Sequence, residues 1–279
     1  MAEQFRPDLV EVHKVLLKMI KAVTALCDQY NIQYSLYCGT LLGAVRHGGF
    51  IPWDHDADLT MSLQDYRLFL EHADELSSDF FCEHPKNTPD CETLWARVKA
   101  NDTTFMRIEY AEVNEHKGIA LDIYPMLGTP GNSKLKKIQS RLFFIALRLQ
   151  RAAHYRVAYN PGYARLIIAH IPALFRRIAI NVIMKLCVID TRNSEYIGTL
   201  DTALFEGKYR RQDWEALTLF QFEDTAFYGP VKYDKILHRI YGDYMKLPPE
   251  EKRNEFFEDE MIIDAHRDYR LYCKELLGK

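Results

Sequence analysis

The chain lacks several features that would have placed it quickly. It has no long uninterrupted apolar run. The most apolar stretch, IPALFRRIAINVIMKLCVI from Ile171 to Ile189, is broken by Arg176, Arg177 and Lys185. A spanning helix needs about 20 largely apolar residues, so this segment is expected to lie on a membrane at most. The six cysteines (Cys27, Cys38, Cys82, Cys91, Cys187 and Cys273) include no CxxC pair and no zinc-ligand spacing. That predicts reduced thiols and no structural zinc. The stretch MAEQFRPDLVEVHK has neither a basic start nor an apolar run, so no secretory leader is expected. These absences predict a cytoplasmic protein. There is no GxxxxGK[ST] and no GxGxxG loop, which excludes the two commonest phosphate-cradling motifs. Internal repeats and low-complexity tracts are also absent.

What is present is a globular composition: 279 residues, 48% apolar and 27% charged. The net charge is −3, but it is unevenly spread. Between Lys134 and Arg192 there are twelve Lys or Arg and one acid, Asp190; that segment is +11 and the remainder −14. Such a dipole suits contact with an anionic surface. Nucleic acid is excluded as a partner, because the basic stretch lacks the interleaved aromatics of known reading motifs.

Apolar residues recur at helical spacing from Asp8 to Tyr30, predicting a helix of about six turns. Ile32–Tyr37 reads as a strand, and a short helix is expected from near Thr40 to His47, closed by Gly48 and Gly49. Ile51–Met61 reads as extended. Ser62 with Asp65 marks the start of a helix to about Asp74. Two extended runs, Leu94–Lys99 and Thr103–Ile108, precede a strand over Ile119–Tyr124 that Pro125 should stop. Helices then run to about Asp190, interrupted by NPG at 160–162 and by Pro172. The tail from Glu250 onward reads as charged and helical. The order predicts an α+β fold: a core over 1–133 with a mixed β-sheet flanked by helices, a mainly helical basic segment over 134–192, and a C-terminal region over 193–279 that completes the substrate site.

The densest chemistry lies in GTLLGAVRHGGFIPWDHDADLTM, Gly39 to Met61. In a strand, positions i, i+2 and i+4 share a face, so Asp54, Asp56 and Asp58 would point together if the strand begins that early, with Asp56 and Asp58 the pair less dependent on where it begins. A carboxylate in an apolar strand needs a partner, and Asp122 in ALDIYPM is another of this kind. No Lys or Arg sits at strand spacing beside them. A divalent cation relieves their repulsion, and hard oxygen donors select magnesium, one ion or two. Gly39 and Thr40 at a helix start offer donors to phosphate; Arg46 suits a two-oxygen clamp, and His47 and His55 could also touch phosphate.

The stretch YCGTLLGAVRHGGFIPWDHDADLTM resembles the LicD family of the nucleotidyltransferase superfamily, which includes the fukutin-related proteins. ALDIYPM and FEDTAFYGPVKYDKILHRIYGDYMKLPP agree with it, while Lys134–Ile189 carries little of the likeness. The resemblance implies a nucleotidyltransferase-like core. It also implies transfer of a phospho-alcohol, commonly phosphocholine from CDP-choline, to a sugar hydroxyl on a surface glycan or its lipid-linked precursor, such as teichoic acid. Carried over, Asp56 and Asp58 are the metal pair, Asp122 the third acid, and Gly39 and Thr40 the glycine-plus-hydroxyl turn. Asp54 matches the first acid of the family's string. Choline favours aromatic faces, and Trp53, Asp54 and Tyr233 are the first candidates for it. A CDP-ribitol or CDP-glycerol donor is an alternative, as is a non-enzymatic scaffold held at the inner membrane face by the basic helices.

Overall fold

The structure, a computed structural model, describes residues 8–159, 161–200, 209–253 and 261–278. The expectation of no leader therefore falls partly outside it, on residues 1–7.

In chain order the chain forms α1 (Leu9–Gln29), β1 (Tyr34–Leu36), α2 (Cys38–His47), β2 (Ala57–Ser62), α3 (Leu63–His72), β3 (Phe80–Glu83), β4 (Ala96–Ala100), β5 (Thr104–Arg107) and β6 (Ala120–Thr129). There follow α4 (Ser133–Gln150), α5 (Ala152–Val157), α6 (Tyr163–His170), α7 (Ala173–Cys187), β7 (Tyr196–Gly198) and β8 (Tyr209–Arg210). The last elements are β9 (Leu217–Phe222), β10 (Thr225–Pro230), α8 (Tyr233–Tyr241), α9 (Glu250–Arg253), β11 (Met261–Asp264) and α10 (Tyr269–Leu277). This is an α+β fold around one mixed sheet, in the order β1-β2-β6-β4-β3, with β7 and β8 extending from the far half of β6. Among the described residues, only β2 and β6 run parallel in that sheet; its other pairs are antiparallel.

The helix boundaries follow from local chemistry. Asp8 caps α1 by accepting from the Val10 and Glu11 amides, and Val12, Leu16, Met19, Ile20, Val23 and Cys27 are buried at helical spacing. Each such side chain contributes roughly 1.5–3 kcal/mol on burial. Ser62 caps α3 by accepting from the Asp65 amide at 3.1 Å, as S-x-x-D predicts. Gly162 and Pro172 stand immediately before α6 and α7, where the punctuation predicted breaks.

Four expectations are corrected. β2 begins at Ala57, so Asp58 alone of the three acids stands on the strand: Asp54 closes a turn through its amide on the Ile51 carbonyl (2.9 Å), and Asp56 is the last residue before the strand. The α2 helix starts at Cys38, so Gly39 and Thr40 are inside its first turn. Pro125 does not stop β6. It sits between the end of the β4 ladder at Ile123 and the start of the β7 ladder at Leu127, where a missing N–H breaks no bond on that side. The tail is not all helical: β11 pairs antiparallel with β5, a long-range contact that local charge does not reveal. Residues 254–260 lie outside the described part.

The β9–β10 hairpin docks against α2 through its turn. The Glu223 amide donates to the Gly48 carbonyl (2.8 Å), and its carboxylate accepts from the Phe50 amide (3.0 Å). Beneath this contact the chain folds back so closely that a Cβ on Gly43 would stand 2.4 Å from the Gly49 carbonyl oxygen. Backbone cannot give way as a side-chain tip can. Gly43→Ala is expected to cost about 1–3 kcal/mol by overpacking. Urea denaturation checks it, and an unshifted midpoint would refute the close packing.

Candidate active site

The acids meet where β2 and β6 run side by side. Asp58 is the direct cross-strand neighbour of Asp122. Asp58 is buried at 8% exposure, and its amide donates to the Thr40 hydroxyl at 2.8 Å, tying α2 to the strand. Asp54 and Asp56 approach from the segment just before β2. Burial, then the neighbouring Asp56 carboxyl, pushes the Asp54 carboxyl up to about 8. The Asp54 Oδ2 atom packs over Gly39, where a Cβ would stand 2.8 Å from it. From α1, the His13 ring donates to the Asp54 carbonyl (2.7 Å) and stacks on Phe50, which pins the turn.

Asp122 has a partner that sequence spacing did not supply. Arg97 on β4 is its cross-strand neighbour on the other side. The Trp95 indole N–H donates to the Asp122 carboxylate. Burial raises this carboxyl to about 6, with Asp56 adding to the rise and Arg97 and Trp95 opposing it. The pairing was invisible because β4 lies some 25 residues before β6.

Arg97 also holds a buried network. Its guanidinium lies 3.5 Å from Glu83, 3.6 Å from Glu92 and 3.8 Å from Glu115. His154 from α5 reaches Glu115 at 2.9 Å. Burial opposes ionisation of Glu115, but His154 and Arg97 outweigh it and hold the carboxyl down at about 2. The adjacent His116 ring is held down to about 3 by burial, then by Lys99 and Arg270. Both folded values lie below the unfolded ones, so the unfolded chain binds more protons as pH falls. His116 should cost stability from about 6.5 down through 3, and Glu115 from about 4.5 down through 2, each by up to about 1.4 kcal/mol per pH unit in its window. Urea midpoints measured from pH 7 to pH 4 should fall steadily. His116→Gln should flatten the upper part of that fall, and an unchanged slope would contradict the assignment.

At the C-terminal end of α2, Arg46 donates to the Tyr244 carbonyl (2.7 Å) and to the His47 ring (2.9 Å). Burial draws down both Arg46 and His47, and Arg46 adds to the shift of His47. Two guanidinium groups lie over the Trp53 ring, Arg46 at 5.9 Å and Arg253 at 4.9 Å from its centroid. Tyr241, at the end of α8, faces the acids. Burial, then Cys38, Asp58, Asp54 and Asp56, raises its phenol far above the usual range. Tyr233 sits at the other end of that helix with its ring edge on Phe220 (5.2 Å), about 12 Å away along the axis. His55 stacks on Phe105 at 5.3 Å. Cys38, which opens α2, carries a positive φ of 41°, a conformation that costs about 1–3 kcal/mol in a non-glycine residue. Sequence reading did not single out Arg97, His13 or Cys38, because each acts through a contact distant in sequence or through backbone geometry. Tyr241 stood only among many aromatics.

The donor set suits a hard divalent ion in kind. It is all carboxylate, it is crowded, and its own repulsion lifts Asp54. Among the described residues, however, no three His, Cys, Asp or Glu side chains converge closely enough to hold one.

Comparison with known proteins agrees with this geometry. Residues 31–143 match the LicD/FKTN/FKRP nucleotidyltransferase domain, a span that contains α2, all four acids and Arg97. The chain is 28% identical over 274 residues to the lipopolysaccharide cholinephosphotransferase LicD of Haemophilus influenzae, covering 91% of this chain and 98% of that protein. It is 28% identical over 124 residues to the ribitol 5-phosphate transferase FKRP of Homo sapiens, covering 44% of this chain and 22% of that one. The mouse (Mus musculus) FKRP matches at 29% over 124 residues, with the same coverage.

Proposed function

We propose, for a chain whose residues 31–143 form a LicD-family nucleotidyltransferase-like domain, that it transfers phosphocholine from CDP-choline to a sugar hydroxyl of a surface glycan or its lipid-linked precursor, releasing CMP. The observation that carries this reading is likeness to a cholinephosphotransferase along nearly the full length of both chains.

Asp56, Asp58 and Asp122 are the residues that would hold magnesium. When bound it would neutralise charge on the donor diphosphate. The chain's own groups do the rest. The first-turn N–H groups of α2 at Gly39 and Thr40, a turn against which the Asp54 carboxyl packs, can donate to phosphate oxygens. Arg46, held by Tyr244, supplies a fixed positive charge at the other end of the helix. Asp122, beside Asp58 on the neighbouring strand, is the carboxylate that would accept the proton of an attacking hydroxyl. Trp95 and Arg97 orient it.

A second reading changes the passenger to ribitol phosphate or glycerol phosphate. The placement of Trp53 favours it: with Arg46 and Arg253 against its ring, this indole is a poor site for a second cation. A donor screen decides between the two. CDP-choline, CDP-ribitol and CDP-glycerol would be incubated with glycan acceptors and magnesium, and CMP release followed. Preference for CDP-choline supports the first reading; preference for either polyol donor replaces it.

A further inference from the structure

We propose that the outer face of the α4–α7 segment is a docking surface for an anionic lipid bilayer, independent of which group the site transfers. Thirteen of the 23 exposed large hydrophobic side chains of the described residues fall between Leu135 and Leu186. On α7 they form a stripe, Leu174, Ile178, Val182 and Leu186, at every fourth position, with Phe175 beside it; all five are 49–75% exposed. The opposite face, with Ile180 and Cys187, packs on Phe143, Ala146 and Leu147 of α4. The stripe is therefore the side that faces away from the core.

Charge identifies the occupant. The segment is +11 over Lys134–Arg192. Much of that charge is pinned: Arg176 is buried, Arg151 pairs with Glu92, and Arg156 donates to the Ala169 carbonyl. Lys134, Lys137, Arg141, Arg177 and Lys185 are exposed and form no ion pair among the described residues. An aliphatic and aromatic stripe flanked by unpaired cations fits the boundary between headgroups and acyl chains of an anionic membrane. A second copy of this chain would bring two like-charged surfaces together. Spanning is disfavoured too: no single described helix is long and apolar enough, and α6 and α7 meet at a 103° bend beside Pro172.

The test uses the full chain in vesicle flotation, with phosphatidylcholine alone and with roughly one-third phosphatidylglycerol. Each cation near an anionic surface adds measurably to binding, so partitioning onto the anionic vesicles should be at least about tenfold stronger and should weaken with salt. Two independent variants, Ile178→Glu/Val182→Glu and Lys134→Glu/Lys137→Glu/Arg177→Glu, should each lower it about tenfold or more while leaving the melting temperature unchanged, since all five positions are exposed. A Phe175→Trp reporter should shift its fluorescence to the blue on anionic vesicles. Equal binding to both vesicle types, binding insensitive to both variants, or a soluble dimer that Ile178→Glu dissociates would overturn the proposal.

Discussion

Replacing Asp58 or Asp122 by asparagine is expected to lower turnover by about 10³-fold or more, near 4 kcal/mol of transition-state stabilisation. The two residues are direct neighbours on adjacent parallel strands, so their side chains leave the same face of the sheet, and both carboxylates would bear on the donor diphosphate. Asparagine keeps the volume and removes the charge. The effect on stability should run the other way at position 122. The fold raises the Asp122 carboxyl to about 6, which means that its ionised form is disfavoured where it sits. A neutral amide there should leave the urea midpoint at pH 7 unchanged or higher, as is common when charge is held in a site for function. Lost turnover with retained stability identifies a chemical role. Wild-type turnover in both variants, with magnesium still bound, would remove these acids from the mechanism.

The largest loss of stability is expected from Arg97→Met. That guanidinium lies within 4 Å of Glu83, Glu92 and Glu115, and it is also the cross-strand neighbour of Asp122. Methionine fills much of the same space but removes the cation that the three carboxylates share, leaving Lys99 on Glu83, Arg151 on Glu92 and His154 on Glu115. Removing one partner of a buried ionic cluster typically costs about 3–5 kcal/mol. The deficit should shrink as pH falls, because protonated acids no longer need the partner. Arg97→Lys retains the charge but not the planar fork, so a smaller loss is expected. Urea denaturation of the three proteins at pH 7 and pH 5 measures this. A methionine variant as stable as the parent at pH 7 would mean that the network is not held by Arg97.

Much of the fold could be read from the residues because it rests on local rules. The 3.6-residue period of Val12, Leu16, Met19 and Val23, the Ser62 cap and the breaks at Gly162 and Pro172 are each encoded within a few positions. What escaped the sequence is non-local. The pairing of β11 with β5 joins segments more than 150 residues apart, and the tolerance of Pro125 depends on where two other ladders end. The acids show the same division. Their presence and number are plain in the sequence, but the way they are brought to one region differs from what alternation suggests. Asp54 is brought in by a turn that His13 and Gly39 shape, Asp56 lies just before β2, and only Asp58 and Asp122 stand on strands. Arg97, which opposes the rise of Asp122, and Tyr241, whose phenol burial and the acids raise, come from β4 and α8 and carry no motif.

The central claim is that the acceptor hydroxyl attacks the passenger's phosphorus, breaking that atom's bond to the bridging oxygen so that CMP leaves with it. CDP-choline labelled in the choline methyl groups, supplied with magnesium and a glycan acceptor, tests it most directly. The account predicts that label enters the glycan while one CMP is released for each choline incorporated. Nucleotide attached to the acceptor with free phosphocholine in solution, or label that never leaves the donor, would contradict it.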